Sequence, residues 1–206
     1  VGASVVNALS NWLEVEVTRD GKVYKQRYER GKVMYKLKEI GEAPADKSGT
    51  KVTFLPDDTI FEQTVYDFDT LRNRLREIAF LTKGLRITLT DLREEPAKVR
   101  SFHYEGGIKE FVQYLNRHKT PLYEKVIYCE GMKNDVMVEV ALQHNDSYNE
   151  STYSFVNNIV TPEGGTHLTG FKAAITKVFN DYARKNGILK DKDDNLSGDD
   201  LREGLT

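Results

Sequence analysis

Short runs in which apolar and polar residues alternate constrain the fold of this chain more than any other feature. Residues 13–18 alternate, Asp20-Gly21 follows, and residues 22–29 form a second run. Alternation of period two places every second side chain on one face of a strand, and Asp-Gly readily adopts the positive φ of a two-residue hairpin turn. Residues 32–40 and 50–54 continue the pattern until Pro56 ends it. The first part of the chain is therefore predicted to form a largely antiparallel sheet.

Helical spacing of apolar residues appears between these strand patterns. The spacing predicts a helix from Asp67 or Asp69, either of which can cap it, to about residue 81, with Gly84 shortly after its end. A second, shorter helix is predicted over residues 108–115, and a further hairpin over 85–89 and 100–104. The helices can cover one face of the sheet.

A domain boundary is predicted at Lys119-Thr120-Pro121. Proline cannot continue a helix and biases the preceding residue towards extended geometry. Residues 1–120 carry 21 basic and 18 acidic side chains, whereas residues 121–206 carry 9 and 14. Three strands (residues 125–130, 136–143 and 151–157) and a long helix over 166–185 are predicted beyond the boundary. The chain is therefore expected to be an α+β protein of two domains, 1–120 and 121–206.

Several function classes lack support in the sequence. No apolar run approaches the roughly 18 residues that span a bilayer, and neither half has the basic stripe of an autonomous DNA-binding domain. Cys129 is the single cysteine and lies in an alternating apolar run, so we predict a buried thiol. The acidic run from Asp191 has Leu196 where a calcium loop needs glycine and Arg202 where it needs glutamate. No zinc-binding spacing connects the four histidines, His103, His118, His144 and His167.

The first ten residues suggest an anion site. Val1-Gly2-Ala3-Ser4 is a glycine-bearing turn that leads directly into an apolar helix. Such a turn presents unpaired backbone N–H groups and the positive end of the helix dipole to a phosphate. On their own, Gly2 and Ser4 are better explained as a tight turn and a helix cap than as an anion site.

A family resemblance extends these observations over essentially the whole chain. It rests on the opening residues together with five later motifs: Lys47-Ser48-Gly49-Thr50, Phe102-His103-Tyr104-Glu105-Gly106-Gly107-Ile108, Asn157-Asn158-Ile159, Gly164-Gly165-Thr166-His167-Leu168 and Leu201-Arg202-Glu203-Gly204-Leu205. In order and spacing these motifs resemble the DNA gyrase B family, the ATPase subunits of bacterial type II topoisomerases. The resemblance implies the C-terminal part of a GHKL-type ATPase sandwich, a mixed and largely antiparallel sheet with helices on one face. A transducer domain of the ribosomal-protein-like βαβ type would follow.

The resemblance also implies an ATP site, with contacts at Val1, Gly2, Ala3, Ser4, Thr50 and Val52. The backbone around Gly2 would lie against the phosphates. The Thr50 hydroxyl would reach the adenine directly or through water, and Val52 would form an apolar wall of the pocket. Arg19 would sit on the outer rim, where inhibitors of the family dock.

No catalytic residue and no metal ligand of the family has a matching position in this chain. The resemblance places the general base, the asparagine that holds Mg²⁺ and the aspartate that reads adenine upstream of Val1. It places the lysine that reaches the γ-phosphate beyond Thr206. ATP and Mg²⁺ are thus expected as cofactors of the complete protein, and the chain alone is expected to be inactive.

The implied function is coupling of ATP hydrolysis to negative supercoiling of DNA by strand passage. Expected partners are double-stranded DNA, the A subunit of DNA gyrase and a second copy of the ATPase region on ATP binding, in the bacterial cytoplasm and with no membrane. Two alternatives stay open. The chain could come from the decatenating relative, topoisomerase IV, or it could be a structural or dimerisation module without activity of its own.

Overall fold

The computed structural model describes all residues, 1–206, and divides them into two compact units, Val1–Asp67 and Phe68–Thr206. Helices accompany sheets in which every strand pair is antiparallel. This confirms the predicted α+β class. The two units are divided between Asp67 and Phe68, not at Thr120. The domain boundary at Thr120 stays a prediction.

The first unit is a helix followed by a five-stranded antiparallel sheet. Its elements are α1 (Gly2–Ala8), β1 (Ser10–Arg19), β2 (Lys22–Glu29), β3 (Lys32–Val33), β4 (Lys38–Glu42) and β5 (Gly49–Pro56). The sheet has the order β3-β2-β1-β5, and β4 also pairs with β2. Asp20 and Gly21 form the predicted turn, both with positive φ.

The strand predicted over residues 32–40 is two short strands instead. Both pair with β2, but the chain between them leaves the ladder. The side-chain amide of Gln26 donates to the carbonyl of Tyr35 at 3.1 Å. That carbonyl is therefore bonded to a side chain rather than to a neighbouring strand, and the alternation of side chains could not reveal this break.

The second unit contains four helices and three small hairpins. Its elements are α2 (Phe68–Leu81), β6 (Arg86–Asp91), β7 (Lys98–His103), α3 (Ile108–Leu115), β8 (Ile127–Lys133), β9 (Val136–Leu142), β10 (Phe155–Val156), β11 (Ile159–Val160), α4 (Thr166–Lys185) and α5 (Gly198–Arg202). The predicted helices and the predicted hairpin before residue 108 are confirmed. No helix combines the length and the apolar character that crossing a membrane would require.

Two apolar centres lie in this unit. Phe80 of α2 is buried and stacks on Tyr104 and on Phe111 of α3, with ring centroids 3.6 and 5.0 Å apart. The other centre joins β9, α4 and the last residues through three buried side chains, Leu142, Ile175 and Leu205. Phe80 of α2, Phe111 of α3 and Ile175 of α4 thus face these centres, whereas Val178 and Tyr182 of α4 are exposed.

Two further predictions for the second unit are wrong. Of residues 151–157 only Phe155–Val156 is strand. The N–H of Ser151 donates to the carbonyl of Leu205 instead of to a strand partner, and Asn157 and Asn158 take positive φ and turn the chain into β11. Cys129 is exposed, not buried. It lies in the two-stranded β8–β9 hairpin, where alternation does not by itself guarantee a covering layer.

A buried polar network connects the end of α3 to the end of β9 and the final residues. Asn116 donates to the side chain of Gln143 at 3.0 Å and accepts from the hydroxyl of Thr206 at 2.7 Å. Asn145 donates to the carbonyl of Gly204 at 2.7 Å. All the side chains in this network are buried. Because each polar group has a partner, the network orders this part of the unit rather than destabilising it.

A partly buried ion cluster holds α4 and α5 to the preceding loop. The carboxylate of Glu150 pairs with Lys172 at 2.7 Å and with Arg202 at 3.0 Å, and it accepts from the Thr152 hydroxyl. Burial raises the pKa of Glu150, but the hydrogen bonds from these three neighbours outweigh burial and lower it below its usual value.

Candidate functional site

One face of the first unit's sheet carries the predicted adenine contacts. Thr50 lies opposite Val17, and Val52 lies opposite Val15, in the antiparallel register of β1 and β5. Directly opposed residues share a face, so these four side chains form one surface. Val52 is 52% exposed, and the Thr50 hydroxyl makes no hydrogen bond within the chain. The surface is apolar with one free hydroxyl, a composition that small-molecule sites commonly have.

The opposite face of the same strands is ionic. Lys25 pairs with Glu14 at 2.9 Å and with Glu16 at 3.3 Å, and Arg27 pairs with Glu14 at 3.1 Å. The hydrogen bonds from Lys25 and then Arg27 lower the pKa of Glu14. These charged side chains of β1 and β2 lie on the face opposite Thr50. The face that holds Thr50 is therefore largely uncharged.

Arg19 is the last residue of β1 and follows Val17 by two residues. Its side chain therefore lies on the same face as Thr50, at the edge of the sheet. Its side chain is 77% exposed and pairs with Asp20 at 3.3 Å. A pair this exposed contributes little stability, so the guanidinium is available to a ligand at the rim.

The first turn of α1 offers backbone donors. The earliest helical bond runs from the N–H of Val5 to the carbonyl of Val1 at 3.0 Å. The N–H groups of Gly2, Ala3 and Ser4 precede it and have no helical acceptor. No side chain caps the helix, and its first turn has no acidic residue. These donors are suited to an anionic ligand.

The helix packs near the face that carries Thr50 and Val52. Val5, Val6 and Leu9 of α1 line a cavity of about 240 Å³ together with Phe54 of β5. Phe54 follows Val52 by two residues and therefore points to the same face. The structure thus places α1 beside β5, but none of the predicted ATP contacts lines this cavity: Val1, Gly2, Ala3, Ser4, Thr50 and Val52 all lie outside it.

An ion pair between the buried Asp57 and the largely exposed Arg30, at the C-terminal end of α1, was not predicted from the sequence. Asp57 has no exposed surface, and its carboxylate accepts from Arg30 Nε at 2.5 Å and from the N–H and hydroxyl of Thr59 at 3.0 and 2.7 Å. The hydrogen bond from Arg30, followed by those from Thr59, holds the pKa of Asp57 well below its ordinary value. The two partners are 27 residues apart, and no local motif connects them.

The residues present fit a nucleotide better than a metal ion. The apolar face, the Thr50 hydroxyl and the free N–H groups of α1 suit a base and a phosphate. No three His, Cys, Asp or Glu side chains lie together in an arrangement that could hold a metal ion.

Known proteins resemble this chain in sequence. Residues 107–206 match the family described as DNA gyrase B. The whole chain is 58% identical to the B subunit of DNA gyrase from Clostridium acetobutylicum and spans 32% of it, and it is 56% identical to that of Bacillus mycoides and spans 50%. It is also 58% identical to the B subunit of DNA topoisomerase 4 from Streptococcus pneumoniae, of which it spans 31%. The chain therefore covers a third to a half of these relatives.

Solved structures show the same likeness. The 43K ATPase domain of Thermus thermophilus gyrase B, solved with an aminocoumarin, superimposes on 99% of this chain with a TM-score of 0.86 and 44% identity, and the chain covers 55% of it. A topoisomerase IV ATP-binding domain of Francisella tularensis matches with a TM-score of 0.77 and 30% identity over 98% of this chain and 54% of that one. In fold and sequence the chain is therefore similar to part of the ATPase component of bacterial type II topoisomerases. The relatives that it matches in sequence are B subunits of DNA gyrase and of topoisomerase 4.

Proposed function

We propose that the Thr50 face of the sheet and the first turn of α1 form one wall of an ATP site. Thr50 would hydrogen-bond the adenine, Val52 would pack on its ring, and the backbone of Val1, Gly2, Ala3 and Ser4 would line the phosphates. The observation that supports the proposal is the register of β1 and β5, which sets Thr50 and Val52 on one largely uncharged face. The first turn of α1, in the same unit, adds N–H groups that have no helical acceptor.

The complete protein would then hydrolyse ATP with Mg²⁺ and couple hydrolysis to negative supercoiling of double-stranded DNA. Mg²⁺ supplies charge neutralisation for phosphoryl transfer when it is bound. The A subunit of DNA gyrase would be the partner, a second ATPase region would dimerise on ATP binding, and the cytoplasm would be the location. Residues 1–120 would belong to the ATPase domain and residues 121–206 to the transducer.

The rim of the site would also accept inhibitors. The Thermus thermophilus relative was solved with an aminocoumarin, and in this chain the exposed guanidinium of Arg19 lies at the edge of the Thr50 face. An aminocoumarin is therefore expected to compete with ATP for this protein.

Topoisomerase IV is the second candidate, because one of its B subunits is as similar to this chain as the gyrase relatives are. The test is to combine the full-length protein with its partner A subunit and to follow relaxed plasmid and interlinked DNA circles with ATP. ATP-dependent negative supercoiling supports gyrase, whereas decatenation without supercoiling supports topoisomerase IV. A full-length protein that neither binds nor hydrolyses ATP would contradict both and leave a structural module.

A further inference from the structure

Helix α1 buries no side chain that would fix its position. None of its residues is buried, and Val5 and Val6 are 46% and 37% exposed. A helix of about two turns is only marginally stable without tertiary contacts. Its position on the sheet therefore depends on the contacts at its C-terminal end.

Three segments meet at that end. The backbone N–H of Asp57 donates to the carbonyl of Leu9, and the N–H of Arg30 donates to the carbonyl of Ser10, both at 3.1 Å. Gly31, with a φ of +79°, lies against Ala8, so that an added Cβ would be 3.5 Å from the Cα of Ala8. The turn after β2 and the segment after β5 thus both contact the short connection between α1 and β1.

The side chains of Asp57 and Arg30 connect these two segments. Arg30 Nε donates to one carboxylate oxygen of Asp57, and Thr59 donates twice to the other. The Asp57 side chain is fully buried, which makes its hydrogen bonds stronger and its unpairing more costly than at the surface. A buried, fully bonded carboxylate at this point holds both segments in one arrangement.

We propose that Asp57 and Arg30 are positioning residues for the nucleotide, because they hold the end of α1 and thereby place residues Val1, Gly2, Ala3 and Ser4 against the triphosphate. The proposal rests on the proposed function, since it needs ATP to bind along α1. Neither residue touches the nucleotide. The expected signature is a loss of affinity for the phosphates without a loss of affinity for the base.

The test uses the full-length protein and four variants. Asp57→Asn turns an amide towards the guanidinium, and Arg30→Gln shortens the donor and removes its charge. For both we expect KM for ATP to rise about tenfold, the scale of a lost charge-assisted hydrogen bond, with kcat changed less than about twofold. Arg30→Lys should recover ATP affinity to within about threefold, because an ammonium can still pair with the carboxylate. Lys36→Gln, an exposed position in the same unit, is the control for loss of one surface charge.

Binding of adenosine, which has no phosphate, distinguishes positioning from general damage. Adenosine should bind the Asp57 and Arg30 variants as it binds the wild type, while ATP binds more weakly. Equal ATP affinity in wild type and Arg30→Gln, or a parallel loss of adenosine and ATP, would overturn the positioning role. Arg30 is largely exposed, so Arg30→Gln decides the question if Asp57→Asn does not fold. Absence of ATP binding in the wild type would instead reject the proposed function.

Discussion

Replacing Thr50 with valine removes one hydroxyl and keeps the branched shape of the side chain. The Thr50 hydroxyl has no partner within the chain, and Val17 is its neighbour across the strand pair. The free energy of unfolding should therefore change by less than about 0.5 kcal/mol, as for other substitutions that break no internal contact. If the hydroxyl bonds the adenine, the same change should weaken nucleotide binding by about 1–2 kcal/mol.

That loss corresponds to a rise in Kd of about 5- to 30-fold. Thr50→Ala should show a similar loss, and Thr50→Ser should bind within about threefold of wild type because it keeps the hydroxyl. Thr53→Val is the matched control. Thr53 lies on the same strand opposite Glu14, on the ionic face.

The assay is isothermal titration of the full-length protein with a non-hydrolysable ATP analogue. Thermal unfolding of each variant is measured alongside to exclude damage to the fold. If Thr50→Val bound the analogue as tightly as wild type, or lost no more affinity than Thr53→Val, Thr50 would be a strand residue only. The face would then have no demonstrated contact with adenine.

Three further predictions test the second unit. In thermal unfolding, Gly204→Ala should destabilise the protein far more than Gly187→Ala. Both glycines have a φ of +68°, but only at position 204 would an added Cβ lie 2.3 Å from a backbone carbonyl oxygen. Gly187→Ala should therefore cost only the roughly 1–2 kcal/mol of a left-handed backbone. A flexible insert of about ten residues between Thr120 and Pro121 should leave ATP affinity nearly intact and reduce supercoiling per ATP hydrolysed, because a loose tether transmits less motion. An unchanged amount of supercoiling per ATP would show that this junction does not couple ATP hydrolysis to supercoiling. Because the pKa of Glu150 is lowered, its contribution to stability is present above about pH 4.5 and is lost as the pH falls below it. In unfolding experiments between pH 7 and 3, Glu150→Gln should therefore be less stable than wild type at pH 7 and should lose less free energy of unfolding on acidification.

The sequence by itself determined the local elements. The hairpin at Asp20-Gly21, helix α2 and helix α4 follow from periodicity and turn residues that act within a few positions of one another. The family resemblance could likewise be read from motifs in order, and Thr50 and Val52 were expected on one face because alternation requires it.

Only the tertiary structure decided which distant groups meet. The pairing of Asp57 with Arg30, the network of Asn116, Gln143 and Thr206, and the break in the ladder between β3 and β4 depend on groups far apart in the chain. Polar residues such as these have the same local pattern whether they face solvent or a buried partner. Their partners are chosen by how the strands and helices pack, and packing is a property of the whole unit rather than of any short segment.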